Sequence, residues 1–151
     1  MRLLDTNVIV YARQKTSPFN RWAEDAITQA VAEDGPGACV NAVTLAELCA
    51  ETGVDESLVA GEILAFGVAI VPVPPSCAEA CGAAYRAYRE RRKSESGKDA
   101  PKTPLADFFI GAHALAENME LVTNDAERIA VYFPKVKLIT PKTPVRAAAR
   151  R

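Results

Sequence analysis

The sequence predicts an α/β fold in which a parallel sheet of five short strands is covered by helices on both faces. Two observations carry this. Short apolar runs at 2–5, 38–42, 68–73, 120–123 and 136–139 alternate with longer segments whose apolar residues recur at helical spacing. Breakers such as Gly35-Pro36-Gly37, Gly53 and the Pro72, Pro74, Pro75 group separate them, so strand and helix alternate as in parallel sheets. With 151 residues, 49% of them hydrophobic and 25% charged, the chain suits one ordinary domain that needs no staples. The expected organisation is a single domain over 1–140 and a loose basic tail over 141–151.

Taken in order, Arg2 to Asp5 reads as a buried strand entering a turn at Thr6-Asn7, with one or two helical turns over 8–12. Ser17-Pro18 is expected to open a helix with Trp22, Ala26, Ile27, Ala30 and Val31 as its apolar stripe. After the second strand, Thr44 is expected to start a helix with Leu45, Leu48, Cys49 and Thr52 on its apolar side. A further helix, capped by Asp55 or Ser57, places Leu58, Ile63 and Phe66 inward. The third strand leads to a long helix over 76–92 that turns basic at its end. Residues 93–103 are polar and read as a mobile loop. A helix over 104–118 carries Leu105, Phe108, Ala112 and Leu115 as its core stripe. The fourth strand, a short helix over 125–132 and the fifth strand complete the chain.

Parallel sheets place ligands at the carboxyl ends of their strands, where strand order switches. Asp5 ends the first strand, Asp125 lies just past the fourth, and Glu47 is near the start of the helix after the second. Asp107, early in its helix, shares a stripe with Thr103, Gly111 and Ala114 and is expected to face a small-residue groove. Each acid also has a structural reading. Asp5 suits an Asx turn, Glu47 the far end of a capping box begun by Thr44, and Asp107 and Asp125 the positive ends of helices. Together, four converging carboxylates repel one another unless a cation joins them. Hard oxygen ligands suit Mg²⁺ or Mn²⁺ and metal-assisted phosphodiester hydrolysis.

Other chemistries are poorly supplied. His113 is the only histidine and is expected to pack or face solvent; no nucleophile elbow, P-loop or dinucleotide loop is present. Cys39, Cys49, Cys77 and Cys81 lack zinc-site spacing and read as small apolar residues in a reducing compartment. No secretory signal or membrane-length apolar run is seen, so the expected location is cytoplasmic, with no membrane contact. Net charge is -1, yet residues 1–80 hold four basic and eleven acidic residues and residues 81–151 fourteen basic and eight acidic. The basic half hints at a polyanion-binding side.

Four segments resemble the PIN-domain nucleases, most closely the VapC-type toxins of bacterial toxin–antitoxin pairs: LLDTNVIVY (3–11), NAVTLAELC (41–49), PLADFFIGAHAL (104–115) and LVTND (121–125). They run in family order across nearly the whole chain. The resemblance implies a three-layer α/β/α sandwich with a five-stranded parallel sheet. It also implies Mg²⁺- or Mn²⁺-dependent cleavage of single-stranded RNA, a homodimer, and a small VapB-type antitoxin that blocks the site. Asp5, Glu47, Asp107 and Asp125 match the acidic, metal-binding positions; Asn7 and Thr123 match the polar positions that support them. Many relatives carry a further Asp two residues after Asp125, followed by an aromatic; here Glu127 and Arg128 stand there. Glu127 is the candidate substitute, and one firmly bound metal with a weaker second is expected. Arg89, Arg92, Lys93, Lys98 and Lys102 are candidate RNA contacts, and the apolar residues Trp22, Leu48 and Leu58 are candidates to receive an antitoxin helix. Alternatives are a housekeeping nuclease of the same fold, a non-catalytic binding module, and a phosphatase of the haloacid-dehalogenase kind. The phosphatase would want an Asp where Asn7 stands.

Overall fold

The computed structural model describes residues 1–141, so all but the first residue of the expected tail lies outside the described residues. Strands β1 (Arg2–Leu4), β2 (Ala38–Asn41), β3 (Ala69–Val71), β4 (Glu120–Val122) and β5 (Leu138–Ile139) form one parallel sheet in the order β3-β2-β1-β4-β5. The connections are α1 (Thr6–Arg13), α2 (Asn20–Val31), α3 (Ala42–Cys49), α4 (Glu56–Ala65), α5 (Ala78–Ser96), α6 (Ala106–Ala116) and α7 (Ala126–Tyr132).

The strands alternate their side chains between two cores, which is why the runs are apolar throughout. Leu3, Cys39 and Leu121 point to the layer of α5, α6 and α7, with Tyr85, Phe108 and Ile129. Leu4, Val40 and Val122 point to the layer of α1 to α4, with Val8, Ile27, Leu48 and Ile63. The three-layer sandwich expected from the sequence is the observed fold. Strand order reverses between β1 and β4, where Leu3 pairs with Leu121 and Leu4 with Val122. In such sheets ligands gather at this point, beyond the carboxyl ends of the strands, here past Leu4 and Val122.

Several boundaries differ from expectation, each for a capping reason. The helix expected from Ser17-Pro18 begins at Asn20. Ser17 to Phe19 form a turn in which the Ser17 hydroxyl accepts from the Phe19 N–H, and Asn20 donates its amide to the Tyr11 and Ala12 carbonyls at 2.8 and 3.1 Å, closing α1. Helix α3 follows β2 without a loop, because the Asn41 side chain accepts from the Thr44 N–H at 3.0 Å. Thr44 is thus inside the first turn, the capping-box reading of Glu47 fails, and Thr52 lies past the helix in an exposed turn. In α4, Val59 and Ile63 point inward; Leu58 and Phe66, expected there, are 58% and 52% exposed. Helix α5 runs on to Ser96 and ends at Gly97, whose φ of 70° suits the left-handed helix stop. The first part of the expected mobile loop is therefore helix. The rest is tied down by the Arg89–Asp99 ion pair and by the Tyr85 hydroxyl donating to the Pro101 carbonyl at 2.5 Å.

All four cysteines are free, and burial pushes the Cys39 and Cys81 thiols up to about 11, as suits inert apolar packing. Among the described residues no helix is long and apolar enough to cross a membrane.

His113 neither faces solvent nor packs as a plain apolar residue. It is 2% exposed, and its Nδ1 lies 3.2 Å from Asn41 Nδ2. The Asn41 oxygen already serves the Thr44 N–H, so the amide donates and Nδ1 accepts, which requires a neutral ring. Burial holds the imidazole below the ordinary histidine range, with Glu117 opposing weakly. The unfolded chain takes up a proton near pH 6.5 that the folded ring resists. This stabilisation is therefore complete above about pH 6.5 and is lost as the pH falls below it. Urea midpoints at pH 7 and pH 5 should separate more widely for the native chain than for His113→Gln. Equal separations would refute this account of the pH dependence.

Candidate active site

Asp5 sits at the switch in strand order. Its N–H donates to the Val122 carbonyl at 3.0 Å, which keeps the chain attached to β4 for one residue past β1. The backbone then turns, and Asp5 becomes the N-cap of α1, with Oδ1 accepting from the Thr6 N–H at 2.7 Å. The turn reading is correct, but it uses only one oxygen. Oδ2 accepts from the Thr123 hydroxyl at 2.7 Å and from the Asn7 amide at 3.1 Å. Thr123, fully buried, accepts in turn from the Asp125 N–H at 3.0 Å, and Asn7 accepts from the Asn124 N–H at 3.2 Å. The two polar positions read from the sequence therefore stitch the β1–α1 and β4–α7 turns together around one carboxylate. Burial raises the Asp5 pKa above the ordinary carboxylate value; the hydrogen bonds from Thr123 and Thr6 oppose this, and the charges of Glu47 and Asp107 add to it.

The other acids surround this anchor unequally. Glu47 is exposed on α3 and accepts from the Thr6 hydroxyl at 2.7 Å, so it faces the start of α1 rather than the start of its own helix. Asp107 is in the first turn of α6, and its Oδ2 accepts from Arg128 Nη1 at 2.8 Å. The small-residue groove expected beside it does not exist: a Cβ on Gly111 would stand 2.5 Å from the Phe133 ring, and Ala114 is buried. Gly111 instead lets α6 approach the Phe133 and Ile129 side chains closely. Asp125 is the exposed N-cap position of α7, and Glu127 is exposed in that helix's first turn.

Asp5, Glu47, Asp107 and Asp125 are the residues able to hold a metal, and their all-oxygen chemistry fits a hard divalent cation. As they stand, no three Asp, Glu, His or Cys side chains among the described residues are close enough together to ligate one ion. Two of the four are engaged elsewhere, Glu47 by Thr6 and Asp107 by Arg128. The charges of Glu47 and Asp107 nevertheless reach Asp5 and disfavour its ionised form, a repulsion that a bound cation would relieve.

Of the expected RNA contacts, Arg89 is committed to Asp99 through two hydrogen bonds of 3.0 and 2.6 Å, and Arg92 donates to the Tyr88 hydroxyl at 3.2 Å. Lys93, Lys98 and Lys102 are exposed. Thr6 and Arg128 were not read as site residues. Thr6 sits inside the DTN turn beside Asp5, and Arg128 stands one turn after Asp125, where the resemblance already marked a departure.

The PIN domain family model matches residues 2–134. The comparison with curated proteins finds no match. Among solved structures, VapBC-1 from nontypeable Haemophilus influenzae is similar at 19% identity and a TM-score of 0.63, over 92% of this chain and 96% of that one. VapBC2 from Rickettsia felis, bound to a DNA fragment from its promoter, gives 20% and 0.61 over 93% and 98%. FitAcB from Neisseria gonorrhoeae gives 23% and 0.58 over 93% and 98%. The family match spans most of the chain and both halves of the acidic rim, and the structural likeness agrees with it in fold: this chain belongs to the PIN-domain family.

Proposed function

We propose that this chain is a Mg²⁺- or Mn²⁺-dependent endoribonuclease that cuts single-stranded or loop RNA as the toxin of a toxin–antitoxin pair. PIN domains are nucleases, and the observation that carries the reading is Asp5. It is a part-buried carboxylate at the sheet's switch point, held by Thr6, Asn7 and Thr123, with Glu47 and Asp107 near enough to repel it. So elaborate a scaffold around one carboxylate exceeds what a helix cap requires. Asp5, Glu47, Asp107 and Asp125 would hold the ion, which supplies Lewis-acid stabilisation of charge developing on the phosphate. Thr123 and Asn7 fix the Asp5 carboxylate in one orientation, and the Thr6 hydroxyl orients Glu47. Asn7 donates where a phosphatase would carry a second acid, which speaks against an Asp5 nucleophile. The exposed lysines after Tyr88 supply the positive charge an RNA backbone needs.

The toxin role rests on the likeness to toxin–antitoxin complexes. A small antitoxin and a second copy of the chain are the expected partners. Exposed apolar side chains support a protein partner: Leu58 on α4 and Phe66 just past its end are 58% and 52% exposed and line a groove of about 540 Å³ with Arg13, Val54 and Glu62. Leu48, expected to share that role, is fully buried, and Trp22 is half-buried.

Purified protein incubated with labelled single-stranded RNA should cut it with Mg²⁺ or Mn²⁺ present and leave it whole in excess chelator. RNA that stays intact with either metal, or cleavage that is indifferent to chelator, would remove the metal-nuclease reading.

A further inference from the structure

Among the described residues, Arg128 is the one cation in direct contact with any of the four rim acids. Its Nη1 donates to Asp107 at 2.8 Å, and the nearby charge of Asp125 also favours its charged form. Its guanidinium carbon lies 5.0 Å from the centre of the Tyr88 ring and 6.0 Å from that of Phe108, so two aromatic rings flank the charged head itself. The side chain is still 37% exposed. The contact with Asp107 is a single hydrogen bond rather than a bidentate pair, which leaves guanidinium donors uncommitted. The rim thus has two unlike halves. Around Asp5 and Glu47 the hydrogen-bond donors are neutral hydroxyls and amides. Around Asp107 and Asp125 there is already a fixed positive charge.

We propose that Arg128 stands in for a second divalent ion, compensating Asp107 and Asp125 and meeting the substrate phosphate with its free donors. The inference rests on the metal-nuclease reading of the same rim. A guanidinium seated on Asp107 occupies a ligand oxygen and repels an incoming cation, so it holds the site to one divalent ion. It is also permanently charged and planar, which suits it to a phosphate oxygen as well as a carboxylate.

The test uses the full chain as native protein, Arg128→Gln and Arg128→Lys, each checked for folding by circular dichroism. Mn²⁺ is titrated calorimetrically and counted by electron paramagnetic resonance, without RNA. The native chain and Arg128→Lys should take up one ion, and Arg128→Gln two. In chelator, binding of a single-stranded RNA is followed against salt. The slope of log affinity on log salt should shrink by about 0.7 in Arg128→Gln, the loss of one phosphate contact, and be restored in Arg128→Lys. Two ions on the native chain overturn the proposal without reference to any variant. One ion on both native and Arg128→Gln, with unchanged salt slopes, overturns it while leaving the metal-nuclease reading intact. Failure of every form to take up Mn²⁺ overturns both.

Discussion

Asp5→Asn is expected to lower RNA cleavage by about a thousandfold or more while leaving the fold standing. On the proposed metal-dependent mechanism, the loss follows from removing a charged ligand at the centre of the rim: several kcal/mol of metal-supplied stabilisation corresponds to about three powers of ten in rate. Stability behaves differently because Asp5 has two roles on two oxygens. The asparagine oxygen still accepts from the Thr6 N–H and caps α1. The new amide faces donors on both sides: the Asn7 amide, and Thr123, whose oxygen already accepts from the Asp125 N–H and the Asn7 amide. Such a mismatch costs about 1–3 kcal/mol. Against it, the substitution removes a carboxylate whose charged form burial and the Glu47 and Asp107 charges disfavour. The two effects oppose each other, so the melting temperature should move by only a few degrees. Cleavage of labelled RNA and a thermal melt on the same sample separate the roles. Undiminished cleavage would sink the assignment of Asp5 to catalysis, and lost cleavage in an unfolded chain would make Asp5 a structural cap.

What the sequence made legible was local. Asp5, Asn7 and Thr123 lie at strand ends, and strand ends are readable from short apolar runs that stop at polar turns. The contacts that set the site's character join residues far apart in the chain. Thr6 meets Glu47 across 41 positions, Arg128 meets Asp107 across 21, and His113 meets Asn41 across 72. No periodicity encodes such pairs, since each depends on where two helices are laid on the sheet. Helix starts were misread for a related reason. Asn41 ends β2 and caps α3 at once, which leaves no loop for a boundary signal. Asn20 caps the end of the preceding helix rather than the start of its own. Gly111 looked like open space beside Asp107 because glycine has no side chain, but the Phe133 ring fills that space.

Phe108 is the position where loss of packing should cost most. It is 1% exposed, and its ring lies 5.0 Å from Tyr85, 5.3 Å from Tyr88, 5.5 Å from Tyr132 and 6.1 Å from Phe133, centre to centre. Phe108→Ala removes the ring on which all four lean, and four rings held by two other segments, α5 and the end of α7, cannot collapse together into the gap. A loss of about 3–5 kcal/mol is expected. At about 2–4 °C per kcal/mol for a chain of this size, that lowers the melting temperature by roughly 10 °C or more. The effect reaches the site as well, because Phe108 follows Asp107 on α6 and forms part of the aromatic wall behind Arg128. In a double-mutant cycle, Phe108→Ala and Arg128→Gln should therefore be non-additive by about 0.5–1 kcal/mol. Strict additivity would show that the aromatic cluster packs beside the guanidinium without holding it. A melting temperature within a few degrees of native in Phe108→Ala would show that the cluster closes over the missing ring after all.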